Sequence, residues 1–142
     1  MRELLSRADA RVSRLPAALW WTLLAGFSGL IFFVSSRRLP DDLRVEVPGF
    51  DKLQHFAAFG VWTSLCLAGL RRSLPERSSR WRGAAAVAVA GIYGLSDEVH
   101  QAFIPGRIAS VGDLLADLLG AAAAVLFWGA LARAVREPEA AE

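Results

Sequence analysis

Cysteine is almost missing from this chain: Cys66 is the only one in 142 residues. That excludes a disulfide framework within the chain and a cysteine-based zinc site. Charge is scarce as well. Asp, Glu, Lys and Arg make up 21% of the residues, below the quarter or so usual for a soluble domain. The sequence contains neither an H-E-x-x-H zinc motif nor a G-x-S-x-G nucleophile elbow, and it has no evident internal repeat. What is abundant is apolar sequence, 54% of the chain, with a mean hydropathy of +0.36. Disordered, collagenous and coiled-coil classes are excluded by this composition. The pI near 9.3 invites a nucleic-acid reading, but the basic residues gather between long apolar runs. That is a membrane pattern, and no nucleic-acid partner is expected.

Four runs define the fold class. Pro16 to Val34 carries no charge over nineteen residues; at about 1.5 Å per residue it covers roughly 28 Å, near the bilayer core. It is too long for a signal-peptide core, and no clear A-x-A site follows it. The second run is Leu53 to Leu70 and the fourth Leu114 to Ala132, the latter interrupted only by Asp117. The third is strictly apolar only from Gly83 to Leu95. It spans only if the helix continues through Asp97, Glu98 and His100 to Gln101; otherwise it is re-entrant. The expected fold is all-α: a polytopic four-transmembrane-helix bundle over residues 16–132. Residues 1–15 form a basic segment with Leu4, Leu5, Ala8, Val12 and Leu15 on one face, expected to lie on the membrane surface as an interfacial helix. Residues 133–142 form a cytoplasmic tail.

Arginine and lysine counts orient the bundle. Eleven (Arg2, Arg7, Arg11, Arg14, Arg71, Arg72, Arg77, Arg80, Arg82, Arg133 and Arg136) fall on the side of the termini, and five (Arg37, Arg38, Arg44, Lys52 and Arg107) on the other. The positive-inside rule places both termini in the cytoplasm. Trp20, Trp21, Trp81 and Trp128 fall near the same side, as an interfacial aromatic belt requires.

The unusual polar residues then share the outer side. Asp51, Lys52 and His55 open the second run; Asp97, Glu98 and Gln101 close the third; Asp113 and Asp117 open the fourth. Asp51/His55, Asp97/Gln101 and Asp113/Asp117 are each spaced i, i+4 and so share a helix face. Five carboxylates face only Lys52 and Arg107, so the group needs a wet cavity and partial neutralisation. Glu98, Asp97 and His55 are the candidate acid/base residues. Asp51, Lys52, Gln101, Arg107, Asp113 and Asp117 are the candidate ligand contacts, with Arg107 turned back by Pro105-Gly106 as an anion clamp. Enough imidazole and carboxylate is present for zinc or manganese, but the two histidines lie on different helices without a compact motif. No metal and no cofactor are expected.

The stretches D-K-L-Q-H-F (51–56), S-D-E-V-H-Q-A-F-I-P-G-R (96–107) and S-V-G-D-L-L-A-D-L-L-G (110–120) resemble the VanZ-like family of small bacterial membrane proteins over roughly residues 16–132. Asp117 stands where family patterns often show Asn. The resemblance implies a bacterial envelope location and importance of Asp51, Lys52, His55, Glu98, Gln101, Arg107 and Asp113. It associates the family with glycopeptide antibiotic susceptibility without supplying a reaction.

Three functions follow as expectations. The first is binding or modification of a cell-envelope lipid or lipid-linked cell-wall intermediate in the outer pocket. The second is a membrane-embedded acid/base or metal-dependent enzyme on a lipid-linked substrate; the third is a purely structural membrane subunit. The orientation is directly testable. A cysteine placed by Arg107→Cys in a Cys66→Ala background is expected to react with an impermeant thiol reagent in intact spheroplasts. Reaction only after lysis contradicts it.

Overall fold

The computed structural model describes residues 15–37 and 47–136. Four helices account for most of them: α1 (Ala17–Ser35), α2 (Phe50–Ser73), α3 (Ser79–Gln101) and α4 (Val111–Arg136). The expected interfacial helix and the acidic end of the tail lie outside the described residues.

Local chemistry sets the helix starts. Val47-Pro48-Gly49-Phe50 forms a turn in which Phe50 N–H bonds the Val47 carbonyl at 3.0 Å, with Gly49 at φ 81°. Proline then glycine at the central positions is the type II arrangement, whose third residue needs a positive φ. Ile104-Pro105-Gly106-Arg107 repeats it, with Gly106 at φ 82° and a 3.0 Å bond closing the turn. Ser78 caps α3, its Oγ accepting from Trp81 N–H at 3.1 Å, which satisfies one otherwise unpaired donor.

The helices alternate in direction. Trp21 Nε1 donates to Ser73 Oγ (2.9 Å) and Trp62 Nε1 to Ser28 Oγ (2.8 Å), so α1 and α2 run antiparallel. Tyr93 donates to the Ser28 carbonyl and Ser35 to Asp97, pairing α1 and α3 in parallel. Lys52 meets Asp113, His55 meets Asp117 and Ser64 meets Trp128, so α2 and α4 are parallel in one register. Their packing turns on Gly120. A Cβ there would strike the Phe56 carbonyl, and a Cβ at Gly60 would lie 3.6 Å from the Gly120 carbonyl oxygen. Small residues at such crossings let helix backbones approach closely.

The core is a knot of Phe59, Trp62, Cys66, Leu67, Ala86, Ala90 and Ala121. Phe59, Trp62 and Tyr93 stack at its centre, with ring centroids 5.5–6.4 Å apart. The exterior is apolar too: Leu30, Phe33, Ile92, Leu126 and Phe127 are at least half exposed. Such a surface suits hydrocarbon and not water. By length and composition α1, α2 and Val111–Val135 of α4 are fit to cross a membrane. The third run does continue as helix to Gln101. Its 23 residues reach about 34 Å, but α3 is not among the helices that length and apolar composition fit for a crossing.

Those charges are segregated by end. Arg71, Arg72, Arg77, Arg80, Arg82 and Arg133 occupy the end where α2 stops, α3 starts and α4 stops. Arg72 Nε bonds the Leu15 carbonyl, and Arg82 spans the Leu74 and Pro75 carbonyls. A cavity of about 240 Å³ lies at this end, between Arg71, Arg80, Arg133 and Trp128. It is remote from the acidic residues, which fill the opposite end.

Gly120→Ala is expected to destabilise the bundle by about 1–3 kcal/mol, the cost of overpacking a closed contact. Gly129→Ala, where a Cβ meets nothing within 4 Å, is the matched control. Thermal unfolding in detergent compares them, and equal melting temperatures contradict the crossing.

Candidate functional site

The acidic end is assembled from the last turn of α1, the first turns of α2 and α4, and the last turn of α3. At the rim, Lys52 Nζ donates to Asp51 Oδ2 (2.8 Å) and to Asp113 Oδ1 (2.9 Å). The lysine stem crosses Gly112, where a Cβ would sit 2.9 Å from Lys52 Cε. One turn deeper, His55 Nδ1 and Asp117 Oδ1 are 2.9 Å apart, with Asp117 fully buried. These two pairs repeat the α2–α4 register, so one helix crossing positions both.

α3 contributes two carboxylates with different surroundings. Asp97 Oδ2 accepts from Ser35 Oγ (2.9 Å) and from Gln101 Nε2 (2.8 Å), all three residues being buried. This network ties α1 to α3 and answers the polar groups it buries, as interhelical hydrogen bonds in membranes do. Glu98 Oε2 accepts from Ser110 N–H at 2.6 Å, at the start of α4. The positive end of the α4 dipole favours a carboxylate there. The other oxygen, Oε1, is buried and has no hydrogen-bond partner, and neither has Asp117 Oδ2. Gly94, one turn before Glu98, makes room for the second of these: a Cβ there would lie 2.7 Å from Asp117 Oδ2. Ligand atoms of His55, Glu98 and Asp117 all lie within 4.8 Å of one another.

The pattern of partners therefore divides the cluster. Asp97 and Gln101 serve each other and Ser35; Lys52 bridges Asp51 and Asp113. His55, Glu98 and Asp117 converge with two acceptor atoms left over, which costs free energy in a buried site unless something answers them.

A family model described as VanZ/LLP1 matches residues 6–132. The chain belongs to the VanZ/LLP1 family. No curated protein and no solved structure matches it. The family match takes in α1, α2 and α3 whole, α4 as far as residue 132, and every residue of the cluster.

The sequence-expected residues meet at one end of the bundle, but not as one constellation. Asp51 is at the exposed rim, on Lys52 alone among its hydrogen bonds given by the structure. Arg107 follows the anticipated Pro105-Gly106 turn, yet its Nη2 donates to the Val34 carbonyl at 2.7 Å. There it closes the C-terminus of α1 instead of lying over Glu98 or Asp113. The second histidine, His100, turns to α1, 2.9 Å from Ser36 Oγ and stacked on Phe32 with centroids 4.5 Å apart. Sequence reasoning missed the roles of Ser35, Gly94 and Gly112. Gly94 could have been found: it lies one helical turn before Glu98, on the face that must admit a neighbouring side chain.

Proposed function

We propose that this VanZ/LLP1 protein is a multi-pass protein of the bacterial cytoplasmic membrane with both termini inside. Its outward polar end receives the head group of a cell-envelope lipid or lipid-linked cell-wall intermediate. The observation that carries the reading is the convergence of His55, Glu98 and Asp117 from three helices, with buried acceptor oxygens that no protein donor reaches. A purely structural cluster is selected for internal satisfaction, and Asp97 with Ser35 and Gln101 fits that description. The trio does not. A lipid-linked ligand reaches this end from the outer leaflet, while its tails lie along the apolar exterior of the bundle. Lys52, on Asp51 and Asp113 at the rim, and Arg107, which holds the Val34 carbonyl at the same end, supply basic groups suited to a phosphate or carboxylate on the same ligand. Occupying an envelope intermediate in this way would alter susceptibility to antibiotics that target it, glycopeptides included.

A second reading, catalysis on the same ligand, is favoured by the His55–Asp117 pair. A carboxylate that fixes the imidazole, with Glu98 beside it, is an acid/base arrangement. The two readings share one experiment. The protein is extracted from a bacterial membrane in mild detergent and its bound lipids are identified by native mass spectrometry, beside Glu98→Gln and Arg107→Lys variants of unchanged melting temperature. The expected result is a co-purifying envelope lipid in the unaltered protein, depleted several-fold in both variants; a lipid of altered mass after incubation assigns the catalytic reading. Equal lipid content in all three proteins contradicts the proposal.

A further inference from the structure

The trio of His55, Glu98 and Asp117 has the composition of a metal site, although its members are far apart in sequence and match no local motif. Nitrogen from one imidazole and oxygen from two carboxylates suit zinc and manganese among the common cations. We propose that these three residues bind one divalent transition-metal cation, of the zinc or manganese class, at the acidic end of the bundle. The inference stands apart from the lipid reading, since it concerns the resting protein whatever the pocket receives.

Geometry is the first support. The three ligand atoms lie within 4.8 Å of one another. A zinc ion held at about 2.1 Å sets tetrahedral ligands about 3.4 Å apart, so the cluster has to contract by little more than an ångström. Glu98 can supply that movement, because its Oε1 is held by no hydrogen bond.

The second support is independent of the clustering. Glu98 is 6% exposed and Asp117 0%, and each keeps one buried oxygen with no hydrogen-bond partner. Buried polar atoms in folded proteins nearly always have a partner, and a cation serves both oxygens at once. Every other buried acid at this end is already answered: Asp97 by Ser35 and Gln101, and Asp113 by Lys52. The unpartnered carboxylate oxygens are thus confined to Glu98 and Asp117, and one divalent cation neutralises those two carboxylates.

The surroundings are built as metal sites usually are. Ligating carboxylates are oriented by outer hydrogen bonds, and Ser110 N–H holds Glu98 Oε2 at 2.6 Å. Gly94 leaves the space that Asp117 Oδ2 occupies. Three protein ligands leave a coordination position open, as in catalytic zinc sites, and a phosphate or hydroxyl oxygen of a head group could take it. No metal was expected from the sequence because the two histidines lie on different helices without a compact motif; the structure turns His100 to Ser36 and brings Glu98 and Asp117 together with His55.

The test uses the untagged full chain in detergent, stripped with EDTA and titrated with Zn²⁺ or Mn²⁺ alone by calorimetry, with elemental analysis of the washed product. One ion per chain is expected. Glu98→Gln, which keeps the side-chain shape, His55→Ala and Asp117→Ala should each weaken binding at least tenfold. His100→Ala and Cys66→Ala should bind as the unaltered protein does. X-ray absorption of the loaded unaltered protein should show nitrogen and oxygen neighbours with an imidazole signature and no sulfur, so the inference is decided even where a variant fails to fold. Less than a tenth of an ion per chain, a sulfur ligand, or loss of binding in His100→Ala equal to that in His55→Ala overturns it. Metal uptake without lipid retention upholds this site and removes the lipid reading; lipid retention without metal uptake does the reverse.

Discussion

Gly120 has no side chain where α4 passes the Phe56 carbonyl of α2, and the arrangement of the acidic end depends on that close passage. With the two backbones this near and parallel, residues one turn apart on α2 meet residues one turn apart on α4. His55 falls on Asp117 and Lys52 on Asp113. A larger residue at the crossing separates the helices, and both pairs open together. The same register continues to the far end, where Trp128 Nε1 reaches Ser64 Oγ. The crossing fixes rotation as well as distance: a helix turned by one residue moves its polar face by about 100°, away from the neighbour it now serves.

The second organising feature is the inversion of polarity along and across the bundle. Across it, apolar side chains cover the outside while acids and hydroxyls meet within one end. Along it, most arginines collect at one end and most carboxylates at the other. Hydrocarbon provides no partner for a buried polar group, so each must be answered inside. Most are, through Ser28, Ser35, Ser64 and Ser110, small residues whose backbone or hydroxyl reaches a neighbour without holding helices apart. Of the four buried side-chain atoms without a partner among the described residues, Thr63 Oγ1, Arg107 Nε, Glu98 Oε1 and Asp117 Oδ2, only the last two are carboxylate oxygens, and they belong to one cluster.

Much of the fold was legible in the sequence because hydrophobic runs and basic clusters report it directly. The run ending at Leu95 was read correctly as helix through Gln101, since a thirteen-residue apolar stretch is too short to form the layer alone. The Pro105-Gly106 turn was legible too, because proline presets the second position of a type II turn and glycine supplies the positive φ at the third. Which polar residues would share a space was less so. The i, i+4 pairs identified faces, but a face does not name its partner. Arg107 illustrates the gap: its nearest sequence neighbours are acids, while the carbonyl it bonds belongs to Val34, 73 positions away. Ser35 carried no signal at all, being the first of two serines that follow an apolar run. The glycines were recognised as packing residues, yet only coordinates distinguish Gly94 and Gly112, which accommodate Asp117 and Lys52, from Gly26 and Gly29, which face open space.

All of this rests on His55 and Asp117 meeting across the α2–α4 crossing, and a double-mutant cycle measures that contact most directly. His55→Ala, Asp117→Ala and the double variant are unfolded in detergent after removal of metal. A direct buried contact gives a coupling of about 0.5–3 kcal/mol, the double variant losing less than the sum of the singles. Losses that add to within about 0.5 kcal/mol mean that the two side chains do not touch, and contradict the packing from which the site is built.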